Sequence, residues 1–276
     1  GWHTYWLNAG DSGTAMQIAL DMPDGFEMAS ARWPVPEVVP YDPLVNYGYH
    51  GTPVIMQDVR VPDTVSGDTV TIEGSFDVLV CDDICIPESH SASITLPVAE
   101  TASLNPDFAA YRAALPAIQD WPAVMDNVDG NLQVQVTSPT GWSGFEAARF
   151  FPLEWGLIEY PAPQNVAIQG DTLTLSIKGG SRDAEAVGET MFVLKGDGAS
   201  YELTARAGTL AAPLLAVAGQ VSAVALPSLM VLILFAFLGG LILNLMPCVF
   251  PVLSIKALSI ASHGANKRAG LLYTAG

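Results

Sequence analysis

Basic side chains are scarce in this sequence: 11 lysines and arginines stand against 28 aspartates and glutamates in 276 residues, a formal net charge of −17. A surface that tracks nucleic-acid phosphates is built from Lys and Arg, so that class of partner is excluded. Histidine is sparse too. His3, His50, His90 and His263 share no ligand spacing, each reads as a lone surface imidazole, and neither a metal site nor any other cofactor is expected from them. Fixed-period repeats are lacking. So is a disorder-prone composition, because 50% of the residues are hydrophobic and a chain of this length can bury cores for about two folding units. There is no initiator Met, basic n-region or short apolar h-region at the start, which reads as a chain whose leader has been removed or left off.

All acidic residues lie before Ala225, the last being Glu202. Up to Ala225, 28 acids face eight bases, a net of −20, whereas the remainder holds only Lys256, Lys267 and Arg268. The acid-free remainder contains Leu229 to Leu243, fifteen residues of apolar side chains and glycine, in uncharged sequence that runs on to Ile255. A helix of that length at ~1.5 Å per residue exceeds a ~30 Å hydrocarbon core, so a bent or broken span is expected. Bases gather at the cytoplasmic ends of spans. Lys267-Arg268 therefore reads as a cytoplasmic loop leading into a second apolar segment, and the acidic N-terminal part is expected outside, where disulfides persist.

Before the span the chain is mainly β in pattern. The runs Ala15–Leu20, Val54–Val61, Thr69–Val80 and Ser91–Leu96 are separated by Pro, Gly and Asp, which reads as a first β-sandwich over residues 1–99. Asn105-Pro106-Asp107 opens a short helix that ends at Pro116, inside a linker over 100–125. Asn131–Val136, Ala147–Phe151, Val166–Ile168 and Thr172–Ile177 mark a second sandwich over 126–206. A linker over 207–227, a first transmembrane helix over 228–262, and a loop with the start of a second span over 263–276 complete the expected organisation.

Cys81 and Cys85 are separated by Asp82-Asp83-Ile84, the length of a hairpin loop. If the flanking runs are neighbouring strands, the sulfurs lie across that loop at the ~5.5–6 Å Cα separation of a disulfide. A bridge closing so few residues removes little unfolded-state entropy, so reversible redox work is the better use; a structural clip and a Cys-based metal site stay open. Asp82, Asp83 and Glu88 are expected to crowd charge around the thiols and raise their pKa. The third cysteine, Cys248, lies between Pro247 and Pro251 in the apolar stretch. Those prolines break a helix ladder, which is tolerated in a membrane only where protein or a watery cavity covers the break. A half-helix starting at Pro247 would favour a Cys248 thiolate; a buried structural cysteine on a kinked helix is the alternative. Tyr47-Gly48-Tyr49 fits a loop presenting aromatics or a packed strand end.

Taken together, Gly1-Trp2-His3-Thr4-Tyr5-Trp6, Asp11-Ser12-Gly13, Trp33-Pro34-Val35-Pro36, Tyr47-Gly48-Tyr49, Cys81 to Glu88 and Leu241 to Leu253 with its Met246-Pro247-Cys248-Val249-Phe250-Pro251 core resemble the DsbD/ScsB family of transmembrane thiol:disulfide interchange proteins. The resemblance implies two immunoglobulin-like β-sandwich domains in the periplasm, anchored by helical spans in a multi-pass protein of the bacterial inner membrane. It implies a protein-disulfide reductase that relays electrons from cytoplasmic thioredoxin to periplasmic thioredoxin-fold proteins by dithiol–disulfide exchange, with no cofactor. Cys81 and Cys85 would then be the N-terminal redox pair; Cys85, beside Ile86-Pro87, reads as the sulfur that attacks the partner and Cys81 as the resolver. Cys248 would be the first membrane cysteine and Tyr47 to Tyr49 the cap loop that shields the pair. The family's second membrane cysteine and its own C-terminal thioredoxin-like domain would lie beyond Gly276. The Cys spacing and the second β block resemble the ScsB-like branch associated with copper tolerance more than the DsbD type associated with cytochrome assembly. The alternatives are a periplasmic copper-binding module and a membrane-tethered scaffold domain with a structural disulfide.

Overall fold

The computed structural model describes residues 1–99, 101 and 105–211, and they are mainly β. The expected spans at 228–262 and 263–276, with Pro247, Cys248 and Pro251, lie outside the described residues. Among the described residues no helix is long and apolar enough to cross a membrane.

The first block contains β1 (His3–Gly10), β2 (Gln17–Asp21), β3 (Glu27–Met28), β4 (Glu37–Tyr41), β5 (Leu44–His50), β6 (Val59–Arg60), β7 (Thr69–Cys81) and β8 (Cys85–Pro97). Strands β3 and β6 form a separate two-stranded ladder. The other six make one sheet in which β7 and β8 pair antiparallel along their whole length, from Thr69↔Pro97 to Cys81↔Cys85. The opposite edge of β7 is shared by β2, at Glu73–Asp77, and by β1, at Cys81. Beyond β1 lie β5 and then β4. The alternating β-branched run Thr69–Val80 is legible as a strand because β7 alternates between exposed and half-buried positions. Val54–Val61 is not the strand expected. Pro53 and Pro62 bracket it, proline cannot donate to a ladder, and only Val59–Arg60 pairs beyond an isolated Arg32↔Met56 bridge.

Helix α1 (Asp107–Ala113) follows Pro106, and the Asn105 side chain accepts from the Asp107 N–H at 3.0 Å. The second sheet starts inside the expected linker. It contains β9 (Ala117–Ile118), β10 (Ala123–Val128), β11 (Asn131–Thr137), β12 (Arg149–Pro152), β13 (Gln164–Gln169), β14 (Thr172–Lys178), β15 (Glu189–Lys195) and β16 (Ser200–Ala207), with the one-turn helix α2 (Ala184–Val187) before β15. Its hydrogen-bonded order is β12-β15-β16-β10-β11-β14-β13, with β9 added on β16. Consecutive residues Leu132 to Val136 of β11 are all buried, as are Phe192 to Leu194 of β15, so this sheet is covered on both faces.

The two blocks share their core. Trp6 of β1 and Tyr47 of β5 are fully buried, and both set their rings edge-on to Phe151 of β12, at 6.3 and 4.8 Å between centroids. Beside them Asn8 donates to the Pro152 carbonyl at 2.8 Å and lies 3.2 Å from the Tyr160 hydroxyl. Trp155 donates to the Gly10 carbonyl at 3.1 Å. Buried polar groups are costly unless paired, so this seam fixes register as well as burying aromatic area. The described residues accordingly fall in one compact unit.

Candidate functional site

Cys81 and Cys85 are joined in a disulfide with a Cα separation of 4.1 Å, closer than the sequence suggested. The reason lies in the ladder. The Asp82 N–H donates to the Ile84 carbonyl at 3.0 Å, which places Cys81 and Cys85 opposite each other at a non-hydrogen-bonded position, where antiparallel Cα atoms approach to ~4.5 Å and side chains are nearest. The bridge therefore sits at the tip of the β7–β8 hairpin, next to its three-residue loop.

The two sulfurs differ in access. Cys81 is 1% exposed, whereas Cys85, like every other residue of β8, is exposed. The carboxylates thought to crowd them are not equivalent. Asp82 and Asp83 lie in the hairpin loop, but Glu88 is three residues along a strand from Cys85, hence on the opposite face, where it pairs with His90 at 2.8 Å.

Strand pairing builds the rest of the site. His3 of β1 is the register partner of both Cys81 on β7 and His50 on β5. The sequence His50, His3, Cys81, Cys85 is thus one row across four strands, with side chains on a common face. The reading of His3 as a surface histidine is wrong: it is 7% exposed, because neighbouring strands cover it on both sides. Its ring lies 5.9 Å from that of His50 and 5.2 Å, edge-on, from that of Tyr5. His50 is exposed and pairs with Glu37 of β4 at 3.1 Å. Strand spacing is ~4.8 Å, so the row runs along the sheet without converging on a point. Among the described residues no group of three or more His, Cys, Asp or Glu is placed to hold a metal ion.

Two residues along β1 on the same face, Tyr5 is 3% exposed and reaches its hydroxyl to 3.8 Å from Cys85 Sγ. A disulfide sulfur carries no proton, so the hydroxyl donates. Burial pushes the Tyr5 pKa up, which keeps that donor protonated. Two glycines make its slot. A Cβ on Gly48, the register partner of Tyr5, would lie 2.0 Å from the Thr4 carbonyl oxygen, and one on Gly13, whose φ is +91°, would fall 2.2 Å from the Tyr5 ring. The loop carrying Gly13 is held down by Ser12, whose N–H and hydroxyl both donate to the Asn46 side chain at 2.9 and 3.1 Å.

Tyr47 and Tyr49, expected in a cap loop, are strand residues of β5. They alternate with Gly48 and His50, so they face away from the sulfurs. Tyr47 packs on Phe151 and Tyr160; Tyr49 stacks on Trp33 and donates to the Pro34 carbonyl at 2.7 Å. Burial raises the pKa of both, and neither belongs to the disulfide's surroundings. Sequence reasoning missed Tyr5, His3, Gly13 and Gly48 at this site. The one available signal was their crowding into Gly1-Trp2-His3-Thr4-Tyr5-Trp6, Asp11-Ser12-Gly13 and Tyr47-Gly48-Tyr49.

Residues 1–97 match the family model described as thiol:disulfide interchange protein DsbD, N-terminal. Among solved structures, the chain is similar to the N-terminal periplasmic domain of ScsB from Proteus mirabilis, with a TM-score of 0.55 and 18% identity, over 76% of this chain and 84% of that one. At that identity the likeness is one of fold, and its span is too long to be confined to residues 1–97. No curated protein matches the sequence.

Proposed function

We propose that this chain, whose residues 1–97 match the model of the DsbD N-terminal domain, performs dithiol–disulfide exchange at Cys81 and Cys85 as the outward-facing end of a transmembrane reductase. The observation that carries the reading is the unequal access of the two sulfurs, 1% exposure at Cys81 against an open Cys85. A partner thiolate attacks the exposed Cys85 sulfur, a mixed disulfide forms there, and the bond's electron pair leaves on Cys81. In the opposite direction the Cys85 thiolate attacks a substrate disulfide, and Cys81 attacks Cys85 to release the reduced substrate. Tyr5 donates to Cys85 and covers one side of it, which leaves the hairpin tip as the approach for a thioredoxin-fold partner.

The wider relay belongs to the same reading. Electrons enter from cytoplasmic thioredoxin, pass through Cys248 at the Pro247 and Pro251 break in the inner membrane, and reach the periplasmic pair. Support comes from the apolar stretch from Leu229 onward and from the partition of charge, net −20 before it and three bases with no acid after it. A copper-binding role is less well supported, since the histidines beside the sulfurs are strung along a row.

The test is trapping. In Cys81→Ser chains Cys85 has no resolving partner and should accumulate as a mixed disulfide with a thioredoxin-fold protein; Cys85→Ser chains should not. Equal trapping through both cysteines, or none through either, rejects the assignment. For the relay, Cys248→Ser should leave Cys81 and Cys85 oxidised in cells, as read by alkylation and gel shift; a pair as reduced as in the parent takes Cys248 off the path.

A further inference from the structure

Resting on the exchange reading, we infer that His3 is the proton acceptor for Cys81, taking the thiol proton when Cys81 attacks Cys85 and returning it when Cys81 leaves. The starting observation is an orphan. His3 Nδ1 lies 3.4 Å from the Gly1 carbonyl oxygen, which only accepts, so Nδ1 carries the ring proton and Nε2 presents a lone pair. That Nε2 is buried and has no hydrogen-bond partner. A buried acceptor without a donor is destabilising, and here the missing donor is created by reduction. His3 and Cys81 are register partners, with Cβ atoms ~4.5–5.5 Å apart in such a pair. Once the bridge opens, the Cys81 sulfur is free to turn toward the ring and donate its proton.

The chemistry needs such a group. Cys81 is 1% exposed, so bulk water has no direct access to its proton. With a substrate sulfur bound to Cys85, the Cys81 S–H gives its proton to Nε2 and its electron pair forms the Cys81–Cys85 bond. The substrate sulfur leaves with the pair of the broken bond and takes a proton from solvent. The net change is two electrons and two protons moved from the cysteine pair to the substrate disulfide. His3 then regains its neutral state by releasing that proton to solvent, on the side where His50, its ring 5.9 Å away, is half open to water with Glu37 behind it.

Facing His3 are His50 from β5, Cys81 from β7, Asp82 from the hairpin loop and Tyr5 on its own strand. Burial pulls the His3 pKa below the ordinary imidazole value; the Gly1 carbonyl opposes this, and His50 adds to it. The ring is therefore neutral at neutral pH with its lone pair available. Once Cys81 is a thiolate, its charge favours the imidazolium against that burial, and this coupling lowers the pH at which Cys81 becomes nucleophilic.

The probe is oxidised glutathione, added to the reduced full chain. Acid-quenched time points are digested, and the peptide bearing both cysteines is weighed. This separates formation of the Cys85–glutathione mixed disulfide from its conversion to the Cys81–Cys85 bridge. In the parent, conversion should rise with pH around a midpoint below the ordinary thiol value of ~8.5. In His3→Gln, first attack should keep the parent rate, while conversion slows about tenfold at pH 7 and its midpoint moves up by about one unit, the shift that corresponds to that factor. A parent midpoint at or above the ordinary thiol value overturns the inference whatever the variant does. So does an unchanged conversion rate in His3→Gln, and so does an equal fall in both steps, which marks a packing role. If no mixed disulfide forms in the parent, the exchange reading itself falls and takes this inference with it.

Discussion

Reducing the Cys81–Cys85 bridge should leave the fold standing, and the loss can be bounded from its position. The closed loop runs from Cys81 to Cys85, five residues. The chain-entropy relation assigns such a loop about 2 kcal/mol, against about 3 for fifteen residues. In a unit of about two hundred residues that corresponds to a drop of about 4–8 °C in the thermal midpoint. The remainder of the hairpin does not depend on the sulfurs, because the β7·β8 ladder continues from the bridge to Thr69↔Pro97. The reduced Cys81 then sits in a buried position that suits a small apolar thiol. The assay is tryptophan fluorescence on heating, oxidised against reduced, in the full chain. All six tryptophans lie between Trp2 and Trp155, so the signal reports the β unit alone. A fall beyond about 15 °C, or loss of the cooperative transition, would show that the bridge is a structural staple and refute the reasoning.

Three further outcomes follow from the packing. Gly48→Ala drives a Cβ into the Thr4 carbonyl and should cost about 1–3 kcal/mol as an overpacking change; an unchanged midpoint in the same fluorescence assay would contradict the tight approach of β1 and β5. Phe151→Ala removes the ring against which Trp6 and Tyr47 both pack and should cost about 3–5 kcal/mol, read as a lower urea midpoint; a loss under about 1 kcal/mol would mean that the blocks do not share a core in solution. Tyr5→Phe removes the hydroxyl beside Cys85. A hydrogen bond to the thiolate favours the charged form, so the variant's Cys85 should titrate higher and attack oxidised glutathione more slowly at pH 7, with the difference vanishing above the thiol range; equal rates across pH would remove Tyr5 from the site.

What the sequence reveals about this fold depends on how each strand is covered. Thr69–Val80, Asn131–Val136 and Thr172–Ile177 are legible as runs of β-branched and alternating residues. β1 is not legible, because it is buried on both faces: Tyr5 faces the disulfide, Trp6 faces Phe151, and the alternation that marks a half-exposed strand is lost. Tyr47 and Tyr49 are conspicuous in the sequence, but a one-residue difference in phase decides which face they occupy, and phase is set by pairing with β1. His3 is missed for a related reason. Its burial and its closeness to His50 and Cys81 come from three strands far apart in the chain. The cysteine pair itself is legible, because a three-residue gap is a local feature, and the hairpin that realises it is local too. The shared core is hidden because Trp6, Tyr47, Phe151 and Tyr160 each read as ordinary core of their own block.

The central claim is that Cys81–Cys85 is an exchanging disulfide rather than a clip, and its reduction potential tests this most directly. The full chain is equilibrated in glutathione and dithiothreitol redox buffers, and the oxidised fraction of the peptide bearing both cysteines is read by mass. Structural disulfides of secreted proteins lie below about −300 mV. The short closed loop and the exposed Cys85 predict a midpoint above that value, with the folded state retained on both sides of the transition. A midpoint below it, or reduction that occurs only together with unfolding, would contradict the account.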